Sequence, residues 1–230
     1  KANRAVIMTT GGFEFNETMK LNYLKVYPSY FSGSPSLTGD GHRMVMDVGA
    51  DLWHMNSIEW ATQGFKPAEM PAAFWLQPKA HSWINVNKYG RRFRDESLSL
   101  GHARRDLEIF NFAVNYASEG DADWPNSPWY IVFDEKVRAA GPIVLTERFS
   151  GSPRFITYNN SREIYSWSQD NSSEISKGWI ETSNSITGLA AKIGVDKAGL
   201  SRTIDKYNES CVAAADVEQG RKAATLALLD

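Results

Sequence analysis

The chain has 230 residues, 42% hydrophobic and 23% charged, with a formal net charge of -2. That length holds one large domain or two small ones, and so near-neutral a balance gives no electrostatic reason to bind nucleic acid or an anionic membrane. A single cysteine, Cys211, excludes an internal disulfide framework and a multi-cysteine metal site, and no apolar run is long enough to span a membrane.

Lys1 to Arg4 lead straight into an apolar run with no cap or signal peptide, as expected of a piece cut from a longer protein. Ala5 to Phe13 has the length and β-branched character of a buried strand, ending in the pair Gly11-Gly12, where the backbone can turn sharply. Asn16 is placed to cap a helix through Leu24, with Glu17 in its first turn. Residues 25–35 read as a loop. Thr38 or Asp40 then caps a second helix, whose inward face is Met44, Val45 and Val48 and which Gly49 stops. Small residues there either leave backbone N–H groups free for a polar ligand atom or simply make a glycine-rich helix start.

Leu52 to Pro78 is a connector rich in Trp, Met and Pro. In the next segment Ile84 and Val86 alternate with Asn85 and Asn87, the period of a half-buried strand. Lys88-Tyr89-Gly90 supplies a turn. Arg92 and Arg94 flank Phe93 and project opposite to it, onto either a solvated or an anion-facing hairpin face.

From Ala103 the spacing of Leu107, Phe110, Val114 and Ala117 is helical, and residues 120–128 form a polar loop. Trp129 to Phe133 is a strand, Asp134 caps a short helix ending at Gly141, and residues 154–157 suit a strand. Ile186, Leu189, Ala190 and Ile193 form an amphipathic helix closed by Gly194. Asp196 caps the next, with Val195 and Leu200 as a hydrophobic staple. Cys211 shares an apolar face with Leu200, Ile204 and Tyr207 and reads as a buried structural thiol. Beyond it the chain is Ala-rich and weakly patterned, so a loosely held tail is expected. Eight tryptophans, with Trp75, Trp83, Trp124 and Trp129 in loop-like stretches, imply a large apolar surface between domains or around a flat ligand.

Three of these segments, Thr9-Thr10-Gly11-Gly12, Thr38-Gly39-Asp40-Gly41 and Ile84-x-Val86-Asn87-x-x-Gly90-x-Arg92-Phe93-x-x-Glu96, resemble in order and spacing the fumarate reductase/succinate dehydrogenase flavoprotein superfamily. That superfamily includes soluble fumarate reductases, urocanate reductases and 3-ketosteroid dehydrogenases. The resemblance covers most of Ala5 to Glu96 and, more loosely, the helices after Ser185. It implies an α+β chain: part of an FAD-binding α/β domain over 1–76, then an α+β capping domain over 77–230. It also implies that Thr10, Gly11, Gly12, Thr38, Gly39 and Asp40 line the flavin, with Asp40 in contact with it. No Gly-x-Gly-x-x-Gly loop for the pyrophosphate occurs in the sequence. The chain therefore reads as an internal fragment, not expected to hold FAD tightly by itself.

In fumarate reductases a His, a Thr-Glu pair and an Arg bind the dicarboxylate or donate the proton. The matching positions here are Ala61, after Trp60, then Trp75-Leu76, and Leu100. None of these side chains can bind a carboxylate or transfer a proton, so the expected substrate is not fumarate or succinate. Trp60, Ala61, Trp75, Leu76 and Leu100 would instead line a pocket for an apolar or aromatic unsaturated compound. His102 reads either as a surface residue at a helix start or as a proton carrier. Arg104, beside Arg105, reads as a solvated pair or a catalytic group. His42, His54 and His81 lack metal-ligand spacing and read as structural, and no nucleophile motif is present.

The expected function is hydride exchange between the N5 atom of FAD and a small-molecule substrate. The electron donor stays open, as does the choice between bacterial cytoplasm and cell envelope. The alternative is a non-enzymatic cap-like module that binds a ligand or partner without a cofactor.

Overall fold

A computed structural model describes residues 2–24, 27–56, 63–97, 126, 128–145, 158–160 and 164–230. The secondary structure is mixed α and β, and the chain divides into two compact units: 1–75 with 147–165, and 76–146 with 166–230. The expected helix over 103–117 and strand over 154–157 lie outside the described residues.

In the first unit, Asn16 caps α1 (Glu17–Tyr23) by accepting a 3.0 Å bond from Met19 N, as expected of a short amide side chain at that position. Phe13, Met19 and Leu24 form its small core, with Tyr23, Phe31 and Met55 packed around them. The second helix, α2 (Asp40–Met46), has Gly39 as its cap, in the left-handed region at φ 77 with no side-chain capping bond. Neither Thr38 nor Asp40 caps it: Thr38 stands one residue before the cap and donates its hydroxyl to Asp40 Oδ2, and Asp40 is already the first residue of the helix. Gly49, at φ 92, does stop the helix. Of its expected inward face only Val45 is half-buried, whereas Met44 is 59% and Val48 84% exposed. The Ala5–Phe13 run is likewise not a strand, and Val6 and Ile7 are 74% and 84% exposed. A strand of this kind forms only when others flank it, and no described residue pairs with it. Further along, β1 (Gly64–Phe65) and β2 (Phe74–Trp75) pair antiparallel.

In the second unit, β3 (Trp83–Asn87) pairs antiparallel with β4 (Trp129–Phe133), with Ile84 opposite Val132 and Val86 opposite Tyr130. Asp134 accepts from Lys136 N and Val137 N and so caps α3 (Glu135–Ala139). The short α4 (Ser172–Ser176) was not expected. It starts where buried Asn171, at φ 60, accepts from Ile143 N and Trp167 Nε1 and donates to the carbonyls of Arg138 and Gly141. Ser185 caps α5 (Ile186–Ile193), which ends on left-handed Gly194, and Asp196 caps α6 (Lys197–Val212).

These helices cover one sheet face. Ile84, Val86, Val132, Ala190, Val195, Leu200, Ile204, Tyr207 and Leu229 make the core, with both staple residues inside it and Cys211 packed against it. Cys211 is half-buried rather than buried, and burial pushes its thiol up, which favours the protonated form.

Two expectations fail here. All five residues of β3 are buried, Asn85 and Asn87 included, so the strand is not half-exposed. Asn87 tolerates burial because its Oδ1 accepts from Tyr89 N and Arg91 N and thereby shapes the turn. The tail is not loose either. Asn208 exchanges two hydrogen bonds with the backbone of Leu229, at 2.8 and 2.9 Å, and Leu229 is 6% exposed. The anchoring atoms come from Asn208 of α6 and from Lys136 of α3, whose Nζ donates to Leu228 O at 2.9 Å, so no periodicity within the tail itself could have announced them.

Candidate functional site

The two glycine motifs of the first unit lie side by side. Gly39 N donates to Gly12 O at 3.0 Å, Phe15 N to Leu37 O at 3.0 Å, and Asn16 Nδ2 to Thr38 O at 2.9 Å. Two glycines press closely on neighbouring side chains. A Cβ on Gly39 would stand 2.5 Å from Met19 Sδ, and one on Gly41 would overlap Thr10 Oγ1. The outcome is a strip on which Thr10, Gly11 and Asp40 are exposed while Gly39 and Gly41 are buried beneath. Thr38 and Arg43 hold the Asp40 carboxylate from either side. His42 packs edge-on against Phe13 at 5.7 Å, a packing role. Bare backbone flanked by a hydroxyl and a carboxylate suits a flat heterocycle with a polar edge, so these residues fit a flavin.

The positions expected to line a pocket divide. Trp75 is half-buried in β2 of the first unit, whereas Leu76 is 9% exposed and bridges to Val144 in the second. Trp60, Ala61, Leu100, His102 and Arg104 lie outside the described residues. Among the described residues, no group of three His, Cys, Asp or Glu side chains could hold a metal ion, and no helix is long and apolar enough to cross a membrane.

The hairpin motif carries a different device in the second unit. Arg92 and Arg94 are 6% and 5% exposed, so the hairpin face is neither solvated nor open to an external anion. The Arg92 guanidinium reaches Glu96 through Nε at 3.1 Å and Nη2 at 2.6 Å, and Asp216 through Nη2 at 2.9 Å. Arg221 Nη1 stands 3.5 Å from the second Glu96 oxygen. Both guanidinium groups lie over the Tyr207 ring, at 4.9 and 5.4 Å. Two cations and two anions, all at most 1% exposed in their side chains, make a balanced cluster. Asp216 and Arg221 carried no sequence signal, because a weakly patterned tail does not show which of its charges fold inward.

The cluster sets charge states. Burial opposes ionisation of Asp216, but the hydrogen bond and charge of Arg92, with N–H groups of Gln219 and Arg221, outweigh it and hold the carboxyl below its usual range. Asp134 is held low in the same sense: burial raises it, and hydrogen bonds from Ser82 and Lys136 outweigh that. Burial pushes the Tyr207 phenol up to about 12. A carboxyl lowered on folding contributes stability that is complete above its unfolded value and is lost as the pH falls through the folded one. The urea midpoint of the second unit is therefore expected to hold from about pH 7 to about pH 5 and to fall progressively below about pH 4. Asp216→Asn should flatten part of that fall. An unchanged acid limb would mean that Asp216 is not held low.

Residues 1–227 match the FAD binding domain family. The chain is 25% identical over 222 residues to a 4-oxocyclohexanecarboxylate 2-dehydrogenase of Sinomonas cyclohexanicum, a match covering 94% of this chain and 33% of that protein. It is similar, at TM-score 0.68 and 26% identity, to the 3-ketosteroid delta1-dehydrogenase of Sterolibacterium denitrificans in complex with 1,4-androstadiene-3,17-dione, covering 95% of this chain and 35% of that one. A flavocytochrome c3 fumarate reductase in its open conformation shares the fold, at TM-score 0.52 and 19% identity over 92% of this chain and 30% of that one. The chain thus spans about a third of the length of these relatives.

Proposed function

Because the chain belongs to the FAD binding domain family, among FAD-dependent oxidoreductases related to the 3-ketosteroid dehydrogenases and fumarate reductases, we propose that it forms part of an enzyme moving a hydride between FAD and an apolar or aromatic unsaturated compound. The bond from Gly39 N to Gly12 O carries the reading, since it sets both glycine motifs on one exposed strip. Thr10, Gly11, Gly12, Thr38, Gly39 and Asp40 would hold the flavin there, with Asp40 accepting a hydrogen bond from it. Bound FAD supplies a hydride acceptor and donor at N5. Residues 1–76 would act as the flavin-domain segment and 77–230 as the cap, although 147–165 group with the first unit.

Trp60, Ala61, Trp75, Leu76 and Leu100 would make the substrate side apolar and exclude water. No charged group of theirs could grip a small dicarboxylate. In the oxidising direction the substrate would lose a hydride and a proton from adjacent carbons and gain a C=C bond, with an external electron carrier as the final acceptor of the electron pair. His102 and Arg104 are the proton-carrying candidates by position. Support for a ring substrate comes from the relatives named for 4-oxocyclohexanecarboxylate and 3-ketosteroids.

The test is to purify the whole gene product, record its visible spectrum, reduce it anaerobically, and mix it with 1,4-androstadiene-3,17-dione, 2-cyclohexenone, cinnamate or fumarate. A yellow protein reoxidised by a ring enone or the aryl enoate, and not by fumarate, is expected. Reoxidation by fumarate alone would sink the substrate half. A colourless product would favour a cap-like binding module instead. Asp40→Ala is expected to weaken FAD retention about tenfold, on the order of 1.4 kcal/mol, read by equilibrium dialysis.

A further inference from the structure

We infer that Glu14 is a further cofactor-binding residue of the glycine strip, its carboxylate accepting a hydrogen bond from an O–H or N–H group of the flavin. This rests on the flavin reading above and adds a residue that belongs to neither glycine motif. Gly11 takes a φ of 81, whereas neither Gly12 nor Gly33 has a positive φ. Backbone conformation therefore accounts for the missing side chain at Gly11 but not for the one at Gly12. Glu14 accounts for the second. Its side chain folds back along the chain, so that a Cβ on Gly12 would stand 2.5 Å from Glu14 Oε2 and 3.2 Å from Oε1. Gly33 flanks the carboxylate on another side, with Oε1 4.0 Å from where its Cβ would be.

The fold makes room for this carboxylate and then does not use it. Glu14 Oε2 is buried and has no hydrogen-bond partner among the described residues. Two cations of the same unit are engaged elsewhere: Lys20 Nζ pairs with Glu17 at 2.7 Å and donates to Ser29 O at 2.9 Å, and Arg43 pairs with Asp40. A buried carboxylate oxygen without a donor costs stability, and such groups are few in folded proteins. Asp40, the other carboxylate of the strip, differs in that Thr38 and Arg43 already donate to it. A carboxylate only accepts, so a donor is what completes Glu14. FAD carries such donors as hydroxyl groups on its sugar chains and an N–H on its ring, and Glu14 lies against the Gly12 backbone that would receive it.

The test uses the whole gene product, stripped of flavin, wild type against Glu14→Ala and Glu14→Gln. The glutamine keeps the shape and an accepting oxygen and loses the charge. Equilibrium dialysis reads the dissociation constants of FAD and of lumiflavin, which has the ring without the sugar chain. Urea midpoints are read on the flavin-free protein. Glu14→Ala is expected to raise the FAD dissociation constant about tenfold, as for loss of a hydrogen bond to a charged group. Glu14→Gln is expected to raise it about threefold, because a neutral acceptor bonds less strongly, with its flavin-free midpoint equal to wild type or higher. Weakening for FAD alone assigns the donor to a sugar-chain hydroxyl, and weakening for lumiflavin as well assigns it to the ring N–H.

Unchanged FAD affinity in both variants overturns the inference. So does a Glu14→Gln midpoint below wild type, which would mark a partner for Glu14 within the protein. If Glu14→Ala does not fold, Glu14→Gln decides. A wild-type protein that takes up no FAD defeats the flavin reading itself, whereas wild-type uptake with equal uptake by the variants removes Glu14 alone.

Discussion

Replacing Arg92 with alanine is expected to destabilise the second unit by about 3–5 kcal/mol, the range for removing one partner of a buried ion pair. The cluster holds two guanidinium groups and two carboxylates out of water. Removing Arg92 leaves Glu96 and Asp216 sharing one cation, and Arg221 approaches Glu96 no closer than 3.5 Å. Asp216 would lose the Arg92 guanidinium and keep its backbone N–H donors from Glu218, Gln219 and Arg221. Tyr207, fully buried, would lose one of the two cations over its ring. The exposed pair Arg43–Asp40, at 67% and 53% side-chain exposure, sets the contrast. Solvent screens it, so breaking it through Arg43→Ala should move stability by no more than about 1 kcal/mol. Urea titrations of both variants, with the slope equal to that of wild type, separate the cases. Equal midpoints would show that the cluster is wetter than its burial implies.

How much of this was legible in the sequence follows from how far apart the partners sit. Asn16, Asp134 and Asp196 were readable as caps because each bonds N–H groups two or three residues on. Gly194 was readable as a stop for the same reason. The glycine motifs were legible as motifs. That Gly12 and Gly39 bond each other was not, because nothing in either stretch names its partner. The fate of Arg92 was invisible: a charge beside an aromatic on a hairpin looks the same whether it meets water or an aspartate far along the chain. The Ala5–Phe13 run misled in the other direction. Its residues are those of a buried strand, but pairing is a property of neighbours, and no described residue supplies it.

Gly90→Ala is expected to cost about 2–5 kcal/mol, from two separable sources. Gly90 turns the hairpin at φ 71, and Gly194 closes α5 at φ 73, so alanine at either site meets the same left-handed penalty of about 1–2 kcal/mol. At Gly194 nothing lies within 4 Å of the added carbon, so that penalty is the whole effect. At Gly90 the carbon would stand 2.9 Å from Leu200 N, 3.2 Å from Leu200 Cα and 3.3 Å from Asp196 O, all backbone atoms at the start of α6. Backbone cannot rotate aside as a side chain can, and forcing it apart adds about 1–3 kcal/mol. The hairpin turn would have to lift from α6, carrying with it the strand whose Ile84 and Val86 fill the core. Denaturant unfolding of the two variants side by side should therefore place Gly90→Ala well below Gly194→Ala. If the two lose equal stability, the turn does not press on α6, and the packing that fixes the direction in which the hairpin leaves the sheet must be sought elsewhere.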